Sequence, residues 1–581
     1  MIRNPAPKIP NISASHWKEI ERLAKGLDGS LRASHSKLAM SCQLCFVSEQ
    51  KKNEPEWCHA VRGPTKKRFA RSLVRRLKTR YARKGIIRSF KHKTHTPTQP
   101  LWELVLYWRM ENTPIVFETT QSDDLKPSQI EELPKTELNP GLQFLSITPG
   151  EGCLYAQLPI VKNWGQLSAL VSVIYKQAEE CGLLPKDPIS QPTTSQTLEM
   201  TEQVSPIYVG GITYDSSPFV KQPDFLTSTI TYWQNHPSLS YLFSSPSVGP
   251  YSNHARLDEH RYDALYELEK TLDYIVSTPL HGKDLTTVLN SLKSFLIGAN
   301  GSERRAEIGI ADLYNEDAVP TTQSAQKHEG CIVLRGFAMA PNEQACLLQM
   351  LLIKAIFARL KSHSFHKPLI RWGTKLQNEL MLPYFLYQDF TKVLNDLKNH
   401  GYAFNEHWFA SHFLRRFPKI GKVVLDDVEL ELSHALEPIN IPIASQKHRI
   451  SSALHYSASL QRLQLRVKAL NPKRHLVTCN DVAVPLSEAD GHGVRVAALR
   501  IPRHKNNGAD RFISHNTKDH LVIELRHREE QSSLGGFVCN INNEAAKQPN
   551  FIPFAPYRHS APIHSAPQSL EYPNMLDLRY V

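Results

Sequence analysis

Two short polar clusters, Gln234-Asn235-His236 and Arg256-Leu257-Asp258-Glu259, sit among aromatic residues in the stretch from Thr231 to Glu269. A plain hydrophobic core would not place amides, an imidazole, a guanidinium and two carboxylates there, so the stretch reads as the wall of a binding site. A second constellation, Cys42-x-x-Cys45 with Cys58-His59 or with His92-x-x-His95, has the ligand types of a zinc site. Its spacing is not that of a compact finger, and ordinary reduced thiols are the competing reading. No cysteine has a local setting that would activate it as a nucleophile.

The second polar cluster falls directly before an amphipathic helix whose apolar face is Leu265, Leu268, Leu272 and Ile275. Upstream, the periodicity gives a helix from Trp17 to Gly26, a strand from Trp102 to Trp108, a strand from Leu154 to Leu158 and a helix from Gly165 to Cys181. Further helices are expected over Asp284 to Leu296, Glu343 to Leu360 and Phe390 to His400. The most apolar run, Ala345 to Leu360, is interrupted by Gln349, Lys354 and Arg359 and follows the helix start Pro341-Asn342-Glu343, which makes it a buried core helix and not a membrane span. Beyond Gly421 the period changes from helical to two. Val428-Glu-Leu-Glu-Leu, Leu463-Gln-Leu-Arg-Val, His475-Leu-Val-Thr-Cys, Leu521-Val-Ile-Glu-Leu and Phe537-Val-Cys-Asn-Ile are short alternating runs with turn residues between them.

The chain is therefore expected to be α+β, with an α+β domain over residues 1–417, a small β-sandwich-like module over 418–547 and an extended tail over 548–581. Loops are expected at about 121–142 and 183–206, where Pro and polar residues cluster.

At 581 residues, 41% hydrophobic and with a mean hydropathy of -0.37, the chain has enough apolar mass for several cores. The first residues lack the apolar core of a secretory signal, and nine cysteines scattered over the chain fit reduced thiols, so a cytoplasmic location is expected. The net charge of +13 is one local feature: fourteen Lys or Arg and no acid lie between Arg62 and Lys93, and the rest holds 55 bases against 56 acids. Thr65 to Ala82 can form a helix with Phe69, Leu73, Leu77 and Tyr81 on one stripe and Lys67, Arg68, Arg71, Arg75, Arg76 and Lys78 opposite. That face is either solvated or set against a phosphate-rich partner, nucleotide or nucleic acid.

Several irregular segments carry a resemblance: Ser217-Pro-Phe-Val, Arg371-Trp-Gly-Thr-Lys, Met381-Leu-Pro-Tyr-Phe and His407-Trp-Phe-Ala-Ser-His-Phe, together with the 231–269 stretch. From about Ile20 to the Ser533-Leu-Gly-Gly turn the chain resembles a bacterial amidoligase family usually found fused behind a transglutaminase-like domain. The resemblance implies a glutamine-synthetase-like antiparallel sheet with helices, and a reaction that joins a carboxylate to an amine using ATP and Mg²⁺. Such a reaction needs carboxylates for the metal and Arg, Lys or backbone donors for the phosphates.

This sequence departs from the family pattern mainly at its acids. Gln43 stands where the family has Glu, and Tyr155, Gln157 and Pro159 stand where it alternates Glu, Asn and His. Ser205-Pro206 replace an Asn-His pair, and Val333-Leu-Arg-Gly-Phe-Ala338 keeps Arg335 while losing two acids. The resemblance leaves Lys93, Arg256, Arg305, Arg335 and Arg371 as candidate anion or nucleotide ligands, and Asp258, Glu259 and Glu307 as residual acids. Three readings follow. The first is a catalytically impaired family member acting as a binding or regulatory partner of an active ligase or transglutaminase-like relative. The second is an active ATP-dependent ligase with recruited ligands, and the third is nucleic-acid binding through the basic helix, which the resemblance disfavours. Buried Arg-to-carboxylate pairs that merely orient the fold explain the retained charges equally well.

Overall fold

The computed structural model describes residues 12–34, 38–48, 87–96, 99–107, 114–119, 143–150, 153–185, 205–245, 248–250, 252, 254–259, 265–277, 285–296, 306–314, 329–438, 460–491, 493–502, 520–540, 551–557, 562–565 and 574–578. The basic helix expected over 65–82, the loop at 121–142 and most of the loop at 183–206 lie outside the described residues.

The first part is built on a mixed ten-stranded sheet: β1 Ala39–Ser48, β2 Ile87–Thr96, β3 Gln99–Tyr107, β4 Pro114–Thr119, β5 Gln143–Gly150, β6 Cys153–Gln157, β7 Leu183–Pro185, β8 Ile207–Gly210, β9 Ile308–Gly309 and β10 Ile332–Leu334. The strand order is β2-β3-β4-β5-β6-β1-β8-β10-β9, with β7 also on β1; β4 and β5 pair in parallel and the other pairs are antiparallel. Strand alternation gives the sheet two different faces. Met40, Cys42, Leu44 and Phe46 of β1, with Val209 and Leu334, point into the main hydrophobic core. Ser41, Gln43 and Cys45 point the other way.

Helices cover the apolar face. Ala14–Ala33 begins at Ser13, whose hydroxyl accepts from His16 N–H, and Trp164–Glu180 begins at Asn163, whose side chain accepts from Gly165 N–H. The apolar run of the sequence is the helix Glu343–Ser362, capped by Asn342 and buried continuously from Ala345 to Leu360. Its Lys354 is stabilised inside the core by a salt bridge to Asp28 of the first helix and by Lys162 O at 2.7 Å. Asp28 also accepts from Trp164 N at 2.8 Å, so one carboxylate ties together three helices. The amphipathic helix runs Leu265–Ser277, with Leu265, Leu268, Leu272 and Ile275 buried as its spacing requires. No described helix is long and apolar enough to cross a membrane.

The second part is two facing antiparallel sheets. One contains Lys419–Leu425, Val428–Ala435, Leu460–Lys468, Val494–Pro502 and Ser487–Glu488; the other contains Val482–Ala483, His475–Cys479, His520–His527, Ser533–Asn540 and Phe551–Phe554. Their inner faces share a core that includes Leu430, Leu465, Leu499, Ile523 and Phe537. Asp426-Asp427 and Asn480-Asp481 take positive φ in two-residue hairpin turns, residue types that tolerate the left-handed region. The tail expected beyond residue 547 does not stand apart: Phe551–Phe554 pairs with Ser533–Asn540, and Met575–Asp577 lies parallel to Val494–Pro502. Composition rich in Pro, His and Ser conceals strands whose partners are distant in sequence. The module docks on the start of the helix Pro383–Asn399, where Leu382 packs with Val494, Val496, Ala498 and Met575, and Tyr384 N donates to Gln464 Oε1 at 2.9 Å.

Candidate functional site

The helix Pro223–Asn235 ends at His236, which is held extended before Pro237. Its last carbonyls carry the negative end of the helix dipole, and His236 N donates to Trp233 O at 3.2 Å while Trp372 Nε1 donates to Gln234 O at 3.1 Å. Arg256 covers them: Nη1 donates to Trp233 O at 3.3 Å, and Nη2 donates to Gln234 O at 3.0 Å. The same guanidinium makes a two-pronged contact with Asp258, Nε to Oδ1 and Nη2 to Oδ2, both at 2.9 Å, and Nη1 also donates to Ser240 Oγ at 2.8 Å. Arg256 is 1% exposed, so its charge is tenable only with this full set of acceptors. The Gln234-Asn235-His236 cluster is anchored in a similar way. Asn235 bridges Pro368 O and Ile370 N, while His236 Nδ1 lies 3.2 Å from Asp389.

Two further carboxylates close around Arg256. Glu259 Oε1 accepts from the Tyr241 hydroxyl at 2.6 Å and from Gly249 N at 3.1 Å, and Oε2 accepts from Arg256 N at 2.9 Å. Burial pushes the Glu259 carboxyl up to about 7, against the opposing pull of those donors. Glu307 Oε1 accepts from Trp233 Nε1 at 3.0 Å. Burial raises the Glu307 carboxyl as well, while Arg256 and then the Ser240 and Trp233 donors favour its ionised form. Glu307 Oε2 is buried and makes no hydrogen bond. Of the six oxygens on Asp258, Glu259 and Glu307, it alone lacks a donor.

Tyr241, Arg256, Glu259 and Glu307 line a narrow, partly open pocket together with Ser240, Ser244, Ser245, Ser252, His254 and Gly336. The serine wall is fixed from behind by Arg416, whose guanidinium donates to Ser244 O and Oγ, each at 3.0 Å, and to Ser245 O at 2.7 Å. The opposite wall continues from β10: Arg335 N donates to Glu307 O at 2.8 Å, Phe337 stacks on Phe243, and Ala338 N donates to Phe243 O at 2.8 Å. Gly336 packs closely beside the acid: a Cβ there would stand 3.0 Å from Glu307 Oε1.

β10 also belongs to the sheet whose other face is polar. Gln43 and Gln157 are directly opposed on β1 and β6, Ser41 is opposed to Tyr208, and Tyr208 to Val333. Opposed residues share a face, so positions far apart in the chain converge here. Gln157 Nε2 donates to Ser41 Oγ at 3.1 Å, and Ser205 donates its hydroxyl to Gln43 O and its N–H to Phe337 O at 2.7 Å. Among the positions at which the resemblance implied other residues, Gln157 is engaged with Ser41, and Ser205 with the backbone of Gln43 and Phe337.

The structure brings Arg256, Asp258, Glu259 and Glu307 into one cluster, with Arg335 next to Glu307 along the backbone pairing. The Arg335 guanidinium lies over Gly309, where a Cβ would meet Nη1 at 2.2 Å, and donates to Ala306 O at 3.4 Å. Arg371 is largely exposed and pairs with Glu269 at 3.0 Å. Arg305 and the Lys93 side chain lie outside the described residues, as do Cys58, His59 and the side chains of His92 and His95. Cys42 and Cys45, three apart on β1, face opposite sides of the sheet, and Cys42 lies against Cys346 in the core. Two sulfurs on opposite faces cannot share a zinc ion. Among the described residues no group of three His, Cys, Asp or Glu could hold a metal ion. The sequence reading missed Trp233, Ser240 and Tyr241, the donors that hold the acids; their one signal is a polar-aromatic rhythm next to Gln234-Asn235-His236.

No curated protein matches this chain. Among solved structures, one described as "Crystal structure of novel glutamine synthase homolog" is similar at 12% identity over 68% of this chain and 74% of that chain, with a TM-score of 0.27, too low to superimpose the two architectures. A family model described as "Putative amidoligase enzyme (DUF2126)" matches residues 4–135 and 132–565, so nearly the whole chain is covered and the protein belongs to that family.

Proposed function

We propose that this chain is an amidoligase-family member that does not itself catalyse ligation and that serves as a binding or regulatory partner of an active relative. The observation that carries this reading is the use made of the surviving acids. Asp258, Glu259 and Glu307 do meet, as an active site would require, but they meet around the Arg256 guanidinium and around protein N–H and O–H donors. Magnesium needs several carboxylate or carbonyl oxygens converging at ~2.1 Å with waters completing an octahedron. One unengaged oxygen, Glu307 Oε2, does not fit that demand. The guanidinium is equally committed: its carboxylate, carbonyl and hydroxyl acceptors leave it no direction in which to receive a nucleotide phosphate. No step through Mg²⁺ or ATP is therefore assigned to these residues.

The test is turnover. The purified full chain, given ATP, Mg²⁺, a panel of amines and a panel of carboxylates, is expected to release ADP at the rate of a no-protein control. ADP formation that requires both an amine and a carboxylate would overturn the reading and restore the active ligase.

A further inference from the structure

The helix Leu265–Ser277 buries Leu265, Leu268, Leu272 and Ile275, and on its opposite face Tyr266, Lys270, Asp273, Tyr274 and Ser277, three or four residues apart, are all exposed. Tyr266 is 55% exposed and Tyr274 64%. With Val276 and Ile370 they make four of the ten large hydrophobic residues left exposed among the described residues, gathered on one helix and the segment beside it. Single exposed hydrophobics need no partner, but a cluster marks an interaction face, and tyrosine with arginine is the composition of interface anchors. The ridge is also fixed in place. Lys270 Nζ lies 5.5 Å and Arg371 Cζ 5.8 Å from the centre of the Tyr266 ring, Arg371 pairs with Glu269 at 3.0 Å, and Glu269 accepts from Leu369 N at 3.2 Å. Side chains ordered before a partner arrives lose less entropy on binding.

Charge decides what this face fits. Glu267, Glu269 and Asp273 interleave with Lys270 and Arg371, so neither a polyanion nor a strongly basic partner is favoured over the whole of it. The helix is instead complementary to itself turned end for end. About a twofold axis between residues 271 and 272, Lys270 of one copy comes opposite Asp273 of the other, twice over, and Tyr274 of each approaches Lys270 of the other. Tyr266 and Tyr274, about 12 Å apart along the helix axis, then flank the two ion pairs and exclude water from them. We propose that this face docks on the same face of a second copy of the chain, as an antiparallel contact of twofold symmetry centred on Lys270 and Asp273. Whether the chain turns over ATP has no bearing on this contact.

Sedimentation velocity of the full chain over a rising concentration series is the readout. A monomer–dimer equilibrium is expected, with a dissociation constant on the order of 10 µM, as suits an interface at the small end of the standard size. Lys270→Asp and Asp273→Lys, both at exposed positions, should each weaken self-association by at least about tenfold, because each sets like charges against one another across the axis. Mixed in equal amounts, the two variants should associate about as tightly as the unaltered chain, since every pair across the axis is then again of opposite sign. A role of Lys270 or Asp273 confined to its own helix would give no such rescue, because mixing alters neither chain. A chain that stays monomeric through the series, a dimer indifferent to both substitutions, or two variants that remain monomeric when mixed would overturn the proposal.

Discussion

Arg256→Met is expected to cost about 3–5 kcal/mol of folding stability at pH 8, because it removes one partner of a fully buried ion pair and leaves the acids behind. The guanidinium serves two unlike sets of acceptors: it neutralises Asp258 and it closes the C-terminal carbonyls of the helix Pro223–Asn235 at Trp233 and Gln234. Methionine fills comparable space and satisfies neither. Lysine keeps the charge but not the fork, so Arg256→Lys should recover only part of the loss. The deficit should depend on pH in a definite direction. Glu259 already titrates at about 7 in the fold, above the ordinary glutamate value of 4.5, and Arg256 is one of the groups that lowers it. An acid whose folded-state value is raised binds more protons folded than unfolded, so its contribution to stability falls as pH rises from the unfolded value through the folded one. Removing Arg256 raises Glu259 and Glu307 further. The variant should therefore lie closest to the wild type near pH 4.5 and furthest from it above pH 7, as read by urea denaturation across that range.

Asp28→Ala should cost a similar ~3–5 kcal/mol, for a reason located elsewhere in the core. It deprives Lys354 of its carboxylate and Trp164 N of its acceptor in one substitution, at the point where three helices meet. Lys354 Nζ keeps Lys162 O at 2.7 Å, which satisfies a hydrogen bond and supplies no counter-charge. Adding Lys354→Met to Asp28→Ala should recover more than half of the loss, since an apolar chain of similar length suits a buried position better than an ammonium that has lost this carboxylate. A double variant less stable than Asp28→Ala alone would mean that Lys354 contributes through packing and Lys162, and that the ion pair is secondary. Equilibrium denaturation of the three proteins separates these outcomes.

The same residues show what the sequence disclosed and what it withheld. Lys354 inside an apolar helical run was legible as a buried interruption, because helix period and capping are local; its partner Asp28, 326 residues away, was not. The face Leu265, Leu268, Leu272 and Ile275 was legible for the same local reason, as were the alternating strands His475–Cys479 and His520–His527. The sheet in which Gln43 opposes Gln157 depends on pairings among distant segments that no window reveals, and only the family resemblance hinted that these positions belong together. At the site, Arg256, Asp258 and Glu259 were visible as a polar island before a helix. Their orientation was not: a sequence of one base and two acids is equally consistent with acids that face a ligand and acids that face the base. The extra acceptors that decide it, Trp233 O and Gln234 O, are backbone atoms with no side-chain signature. Glu307 joined the cluster through the resemblance alone, and the Trp233 indole that holds it is 74 residues away.

The central claim, that the surviving acids are committed to Arg256 and to protein donors, is tested most directly by Mn²⁺, which follows the same oxygen-ligand chemistry as Mg²⁺ and is visible by electron paramagnetic resonance. Titrating the full chain with Mn²⁺, with and without ATP, should show no stoichiometric site that depends on these residues, so Glu259→Gln and Glu307→Gln should leave the free-ion signal unchanged. A tight one-to-one site lost in either variant would contradict the account, because those carboxylates would then be metal ligands and the protein would have the equipment of an active ligase.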